Sequence, residues 1–147
     1  MSTALLFIAL IALYWLAAAA LFGVAEAYYF YHLNQAYDKR GRKYDHAFLT
    51  ALRAMLAAPL LLHFYNNVDK RPWPTCFMLL FMLLSFPYIH DGVQYTTHNR
   101  LHKGTYPDGW KSSVDGRALF DFSYNSRLIL FIASMVWLGV FIIMEAI

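Results

Sequence analysis

The chain has 147 residues, of which 60% are hydrophobic, 18% aromatic and only 14% charged, whereas soluble domains carry roughly 25% charged residues. With a mean hydropathy of +0.41 and apolar residues in long blocks rather than at amphipathic spacing, it reads as an all-α integral membrane protein of one domain and four helices. A water-soluble core, disorder, collagen and a coiled coil are excluded. A disulfide scaffold is excluded too, because Cys76 is single.

The first block, Ala4 to Ala25, is 22 residues without a charge. That is enough to cross a hydrocarbon layer of roughly 30 Å. Val24-Ala25-Glu26-Ala27 loosely resembles a signal-peptide cleavage site, but the amino terminus has no Lys or Arg and the apolar run is too long, so an uncleaved anchor is expected. Ala47 to Tyr65 forms a second span that contains Arg53 and Pro59. The third begins at Thr75, after Trp73-Pro74, and its apolar run ends at Ile89, so the helix finishes its crossing near residue 90 or by continuing beyond it. The fourth covers about 128–145. The residues between the last two, 91–127, are expected to form a long folded cytoplasmic loop lying against the membrane face, because Trp110, Leu119, Phe120, Phe122 and Tyr124 are too apolar for a free linker. Two turns are expected within it, at Tyr106-Pro107-Asp108-Gly109 and at Ser112 to Gly116. No extramembrane tail is expected at either end.

The basic residues set an orientation. Loop one has Lys39, Arg40, Arg42 and Lys43, and loop three has Arg100, Lys103, Lys111, Arg117 and Arg127, against Lys70 and Arg71 in loop two. Nine against two places loops one and three in the cytoplasm and both termini outside. The charge is a topology signal, and no nucleic-acid partner is expected.

For packing, Ala19 and Gly23 on the first helix, and Ala47, Ala51, Ala54 and Ala58 on the second, offer small-residue stripes. They predict that these two helices make the closest contact. Phe77 to Leu84 is apolar all round, so the third helix is expected to face lipid or a partner. Pro59 and Pro87 are expected in last turns near the interface, and Tyr28, Tyr29, Tyr31, Tyr65, Trp73 and Tyr88 in an interfacial belt.

Ionisable groups at membrane depth are costly and therefore candidates for function. Arg53 lies inside its span with His46 and Thr50 on nearly the same face. It either snorkels to the headgroups or pairs with Glu26, which the topology puts at similar depth. Five of the six histidines, His32, His46, His90, His98 and His102, fall on the expected cytoplasmic side, opposite His63. If His90 to His102 is helical, Asp91, Tyr95, His98 and His102 share a stripe, and His90, Asp91, His98 and His102 become candidate ligands for a transition metal. Glu26 could add an oxygen ligand. There is one HxxxH and no adjacent histidine pair, unlike membrane desaturases, and no HExxH, GxSxG or phosphate-cradling glycine loop.

His90-Asp91-Gly92, Tyr95, Asn99, Leu101, Tyr106-Pro107 and Trp110 resemble a segment of small polytopic membrane proteins encoded in bacterial and some phage genomes. The resemblance covers about a fifth of the chain. It implies a membrane location, the bacterial inner membrane, and no activity. The length and span number are also similar to membrane glutathione-transferase-like proteins, but their Arg/Asn/Glu pattern is not evident in His46 to Arg53.

Three functions are carried forward. The first is a structural or assembly subunit of the bilayer that packs with itself, as a homo-oligomer, or with partner membrane proteins. The second is a metal-dependent enzyme acting on a lipid or membrane-borne substrate at the cytoplasmic interface. The third is proton or ion translocation through Glu26, Arg53 and nearby histidines.

Overall fold

A computed structural model describes residues 3–36, 46–67, 72–103, 106, 108–112 and 122–147, with the backbone alone at 3, 33–36, 46–50 and 67. The basic residues of loop one, Lys70 and Arg71, Pro107, the stretch 113–121 and the side chains of His46, Ala47 and Thr50 lie outside this description. Among the described residues the fold is entirely helical: α1 (Thr3–Ala36), α2 (His46–Asn67), α3 (Pro72–Leu101), a 3-10 turn η1 (Gly109–Lys111) and α4 (Tyr124–Ala146). Three of these, α1, α3 and α4, are long and apolar enough to cross a membrane.

Helix directions alternate. Phe7 of α1 meets His63 of α2, while Glu26 at the other end of α1 meets Arg53, so these two helices run antiparallel. Trp15 reaches Met82 and Glu26 reaches His90, which makes α1 and α3 parallel. The ring pairs Phe77–Trp137 and Tyr88–Phe131 make α3 and α4 antiparallel.

The closest packing departs from the expectation of an α1–α2 contact. Among the described residues α1 packs most extensively on α3, and α3 next on α4. Ala19 and Gly23 are used, but against α3: a methyl group at Gly23 would stand 2.5 Å from the His90 carbonyl and 3.0 Å from the Gln94 nitrogen. Only a glycine lets the backbones come this close. The third helix is only in part an outward-facing surface. Met78, Phe81, Met82 and Ser85 are fully buried, since α3 lies between α1 and α4, whereas Leu79 and Leu83 are exposed as expected of a face turned to lipid or a partner.

Two indoles tie this centre to its neighbours. Trp15 Nε1 donates to the Met82 carbonyl at 3.1 Å, and Trp137 Nε1 donates to the Phe77 carbonyl at 3.3 Å. Hydrogen bonds between helices hold them together where apolar surface gives little drive for association. Pro87 removes one backbone donor, yet α3 continues to Leu101, so the proline sits inside the helix and not in its last turn. Pro59 is interior in α2 in the same way. Tyr88 and Trp73 are half-buried in aromatic clusters, with Trp110 and Phe131 around one and Phe77 and Phe141 around the other. Tyr28 and Tyr29 stay exposed.

α2 packs along one face. Phe64 is fully buried against Phe141, Ala57, Leu60 and Leu61 are partly buried against the core, and Arg53 reaches into the polar cluster described below. Ala51, Ala54, Met55, Leu56 and Ala58 are exposed, so the described part of the alanine stripe faces away from the bundle.

Candidate functional site

The described part of the bundle gathers ionisable side chains at the junction of α1, α2 and α3. Glu26 is placed by the turn that follows the Gly23 contact, and its side chain is 7% exposed. Arg53 Nη2 donates to Glu26 Oε1, so the pairing expected between these two residues is present and Arg53 does not simply reach for the headgroups. The guanidinium also lies over the Phe86 ring at 4.9 Å, a favourable cation–π distance. Phe86 stacks on His90 at 4.7 Å, one helical turn later.

His90 completes the cluster. Its Nδ1 is 2.7 Å from Asp91 Oδ1, and its Nε2 is 3.2 Å from both Glu26 Oε2 and Arg53 Nη2. Those last two contacts use the ring nitrogen in opposite senses. A neutral imidazole protonated at Nδ1 donates to Asp91 and accepts at Nε2 from Arg53. A doubly protonated imidazole donates to Asp91 and to Glu26 instead. One proton can therefore enter or leave with its hydrogen-bond partners already in place. The His90 side chain is 4% exposed and that of Asp91 24%, so Asp91, like Arg53, lies at a more open edge of the cluster.

The candidate metal ligands are divided. His90 and Asp91 stand with Glu26, whereas His98 lies two turns further along α3, edge-on to Tyr106 at 5.4 Å. His102 follows the helix, its backbone nitrogen donating to the His98 carbonyl at 2.8 Å, and its side chain is exposed. Among the described residues no group of three or more His, Cys, Asp or Glu side chains has an arrangement that could hold a metal ion. His32 packs beside Tyr28 and Tyr31, and His63 lies at the far end of the bundle against Phe7.

Part of the third loop folds back on α3. Tyr106 stacks on Tyr95 at 4.6 Å, and Trp110 covers Gly92, where an added methyl would stand 2.1 Å from the indole. Gly109 takes the left-handed φ of 52° that lets η1 turn back. Beneath this turn Arg127 of α4 is fully buried. In the sequence it counts only as a loop-edge charge. No spacing announces its burial, although the apolar Trp110 and Phe122 nearby are the kind of residue that covers such a group.

No family model, no curated protein and no solved structure matches the chain.

Proposed function

We propose that the chain is a four-spanning integral membrane protein of the bacterial inner membrane, working as a structural or assembly subunit that packs with itself or with partner membrane proteins. Its termini face outward and loops one and three face the cytoplasm, as the distribution of basic residues favours. The observation that carries the assembly role is the outer face of α2. Small residues in a transmembrane helix allow close approach of another helix, and Ala51, Ala54 and Ala58 are exposed instead of being spent inside the bundle. Arg53 of α2 is meanwhile paired with Glu26 inside the bundle, so the described outer surface of α2 is largely apolar.

Native mass spectrometry in mild detergent tests this role. The wild type is expected as a homo-oligomer or with a co-purifying membrane partner, and Ala54→Trp is expected to give the free monomer with unchanged thermal stability. A strictly monomeric wild type that recovers no partner from its own membranes overturns the proposal.

A second reading, proton translocation, is favoured by one observation: His90 bridges two carboxylates, of which Asp91 is the more open and Glu26 the more deeply buried. In liposomes loaded with a pH-sensitive dye, wild-type protein is then expected to dissipate an imposed proton gradient at least about tenfold faster than Glu26→Gln protein, as loss of one relay member implies. Equal rates for wild type, Glu26→Gln and empty liposomes remove this reading.

A further inference from the structure

We propose that Arg127, together with Ser112, forms a binding site for a phosphate-class oxyanion at the loop-three end of the bundle. Arg127 is 0% exposed. Its Nη2 donates to the carbonyl of Ser112 and, at 3.4 Å, to that of Trp110, and the guanidinium lies 5.1 Å from the centre of the Tyr95 ring. Those partners are neutral. Nε and Nη1, which carry three of the five guanidinium hydrogens, are buried with no hydrogen-bond partner. Among the described residues the carboxylate ion pairs are made by Arg53 and His90, and none reaches Arg127.

A buried cation without a counter-charge is strongly unfavourable, and removing the partner of a buried ion is among the larger single losses a protein can suffer. Arg53, with Glu26 beside it, shows how this same chain treats a cation it neutralises itself. Among the described residues Arg127 has no such partner, and the site proposed takes its counter-charge from a bound anion.

The chemistry of the donors selects the ligand. The Ser112 hydroxyl is also buried and unpartnered, and its residue is bonded through its carbonyl to the same guanidinium. Nε, Nη1 and the hydroxyl together are several free donors, which a tetrahedral anion with several acceptor oxygens satisfies more fully than a planar carboxylate with two. η1 covers the guanidinium and touches α3 through the Trp110 ring, so a shift of this short turn admits the ligand. Arg127 lies in the first turn of a membrane-length helix, beside a polar turn. This is the level at which a bilayer presents phosphates, so a phospholipid headgroup and free phosphate share the chemistry required.

The test uses the full-length protein in detergent, with thermal unfolding followed during titration by inorganic phosphate, by phosphatidate in mixed micelles, and by diacylglycerol, which lacks the phosphate. Saturable stabilisation is expected from phosphate or phosphatidate and none from diacylglycerol. A response to phosphatidate alone assigns a lipid headgroup, and a response to inorganic phosphate assigns the free anion. Arg127→Lys is expected to weaken the apparent affinity about tenfold, because an ammonium cannot reproduce the guanidinium's spread of donors. Ser112→Ala, which keeps the carbonyl bonds to Arg127, is expected to weaken it severalfold, and it carries the test if Arg127→Lys does not fold. No saturable response to either phosphate source overturns the site. So does a wild-type affinity unchanged in Ser112→Ala and in any folded Arg127→Lys, or acetate binding as tightly as phosphate.

Discussion

Replacing Arg53 by Gln is expected to destabilise the protein by about 3 kcal/mol, and replacing Glu26 by Gln by less, because the two changes strand different groups. Without Arg53, the carboxylate of Glu26 is left 7% exposed, with only His90 to compensate it. Without Glu26, the guanidinium is left 24% exposed, still over Phe86 and bonded to His90, and its long stem can carry it toward water. The charge reversals Glu26→Arg and Arg53→Glu should each be worse than these neutral changes, since each sets like charges together. Exchanging both residues restores an opposite-charge pair across the same gap between α1 and α2, and His90 Nε2 can again accept from an arginine or donate to a carboxylate. Equilibrium unfolding of the four variants and the exchanged protein gives the coupling between the positions. A double exchange no more stable than its worse single reversal means that the pair does not hold these helices together.

Gly23→Ala is expected to cost at least about 2 kcal/mol, as overpacking against a rigid neighbour does. The new methyl would meet the His90 carbonyl and the Gln94 nitrogen, which are backbone atoms of α3 and cannot rotate away. The remaining response is for α1 to withdraw from α3. Glu26, three residues further on, withdraws with it and lengthens its contact with His90. Gly139→Ala supplies the contrast, because a methyl there meets nothing within 4 Å. It should be neutral or gain up to about 1 kcal/mol from helix propensity. Thermal unfolding of the two single variants separates these cases, and equal stability for both removes the close α1–α3 approach as a determinant of the fold.

The helical, membrane-length character of the chain was legible because uninterrupted apolar blocks admit few other structures. The Glu26–Arg53 pair was legible for a related reason: two charges at matching depth in adjacent helices have few other partners. Neighbour choice was harder to read. Ala19 and Gly23 advertise a close approach but do not say to which helix, and the deciding feature is backbone at His90 and Gln94, which no side-chain pattern encodes. Phe77 to Leu84 misled in part for the same reason, since an all-round apolar surface suits lipid and a bundle centre equally. His90 counts as a candidate metal ligand in the sequence because it opens the histidine-dense stretch that ends at His102. The structure places it against Glu26 and Arg53, with Phe86, one turn before it, stacked on its ring. Arg127 is the least visible, because its burial depends on the backbone path of the turn at 109–112, which no side-chain spacing encodes.

The arrangement of α3 between α1 and α4 also bears on how the molecule is made. The Trp15–Met82 bond joins residues 67 apart in sequence, and the Phe77–Trp137 bond joins residues 60 apart. The first two helices to leave the ribosome are therefore not the pair that packs most closely, since α1 packs chiefly on α3. α1 has to wait, with its Ala19–Gly23 face uncovered, until α3 has been synthesised, and the centre is closed only when α4 follows. Non-local closure of this kind slows assembly relative to a bundle of sequential hairpins. The folding of this protein is thus set by the order of its contacts as much as by their strength, and a chain stalled after α2 would hold Glu26 and Arg53 but lack the helix that both of them close upon.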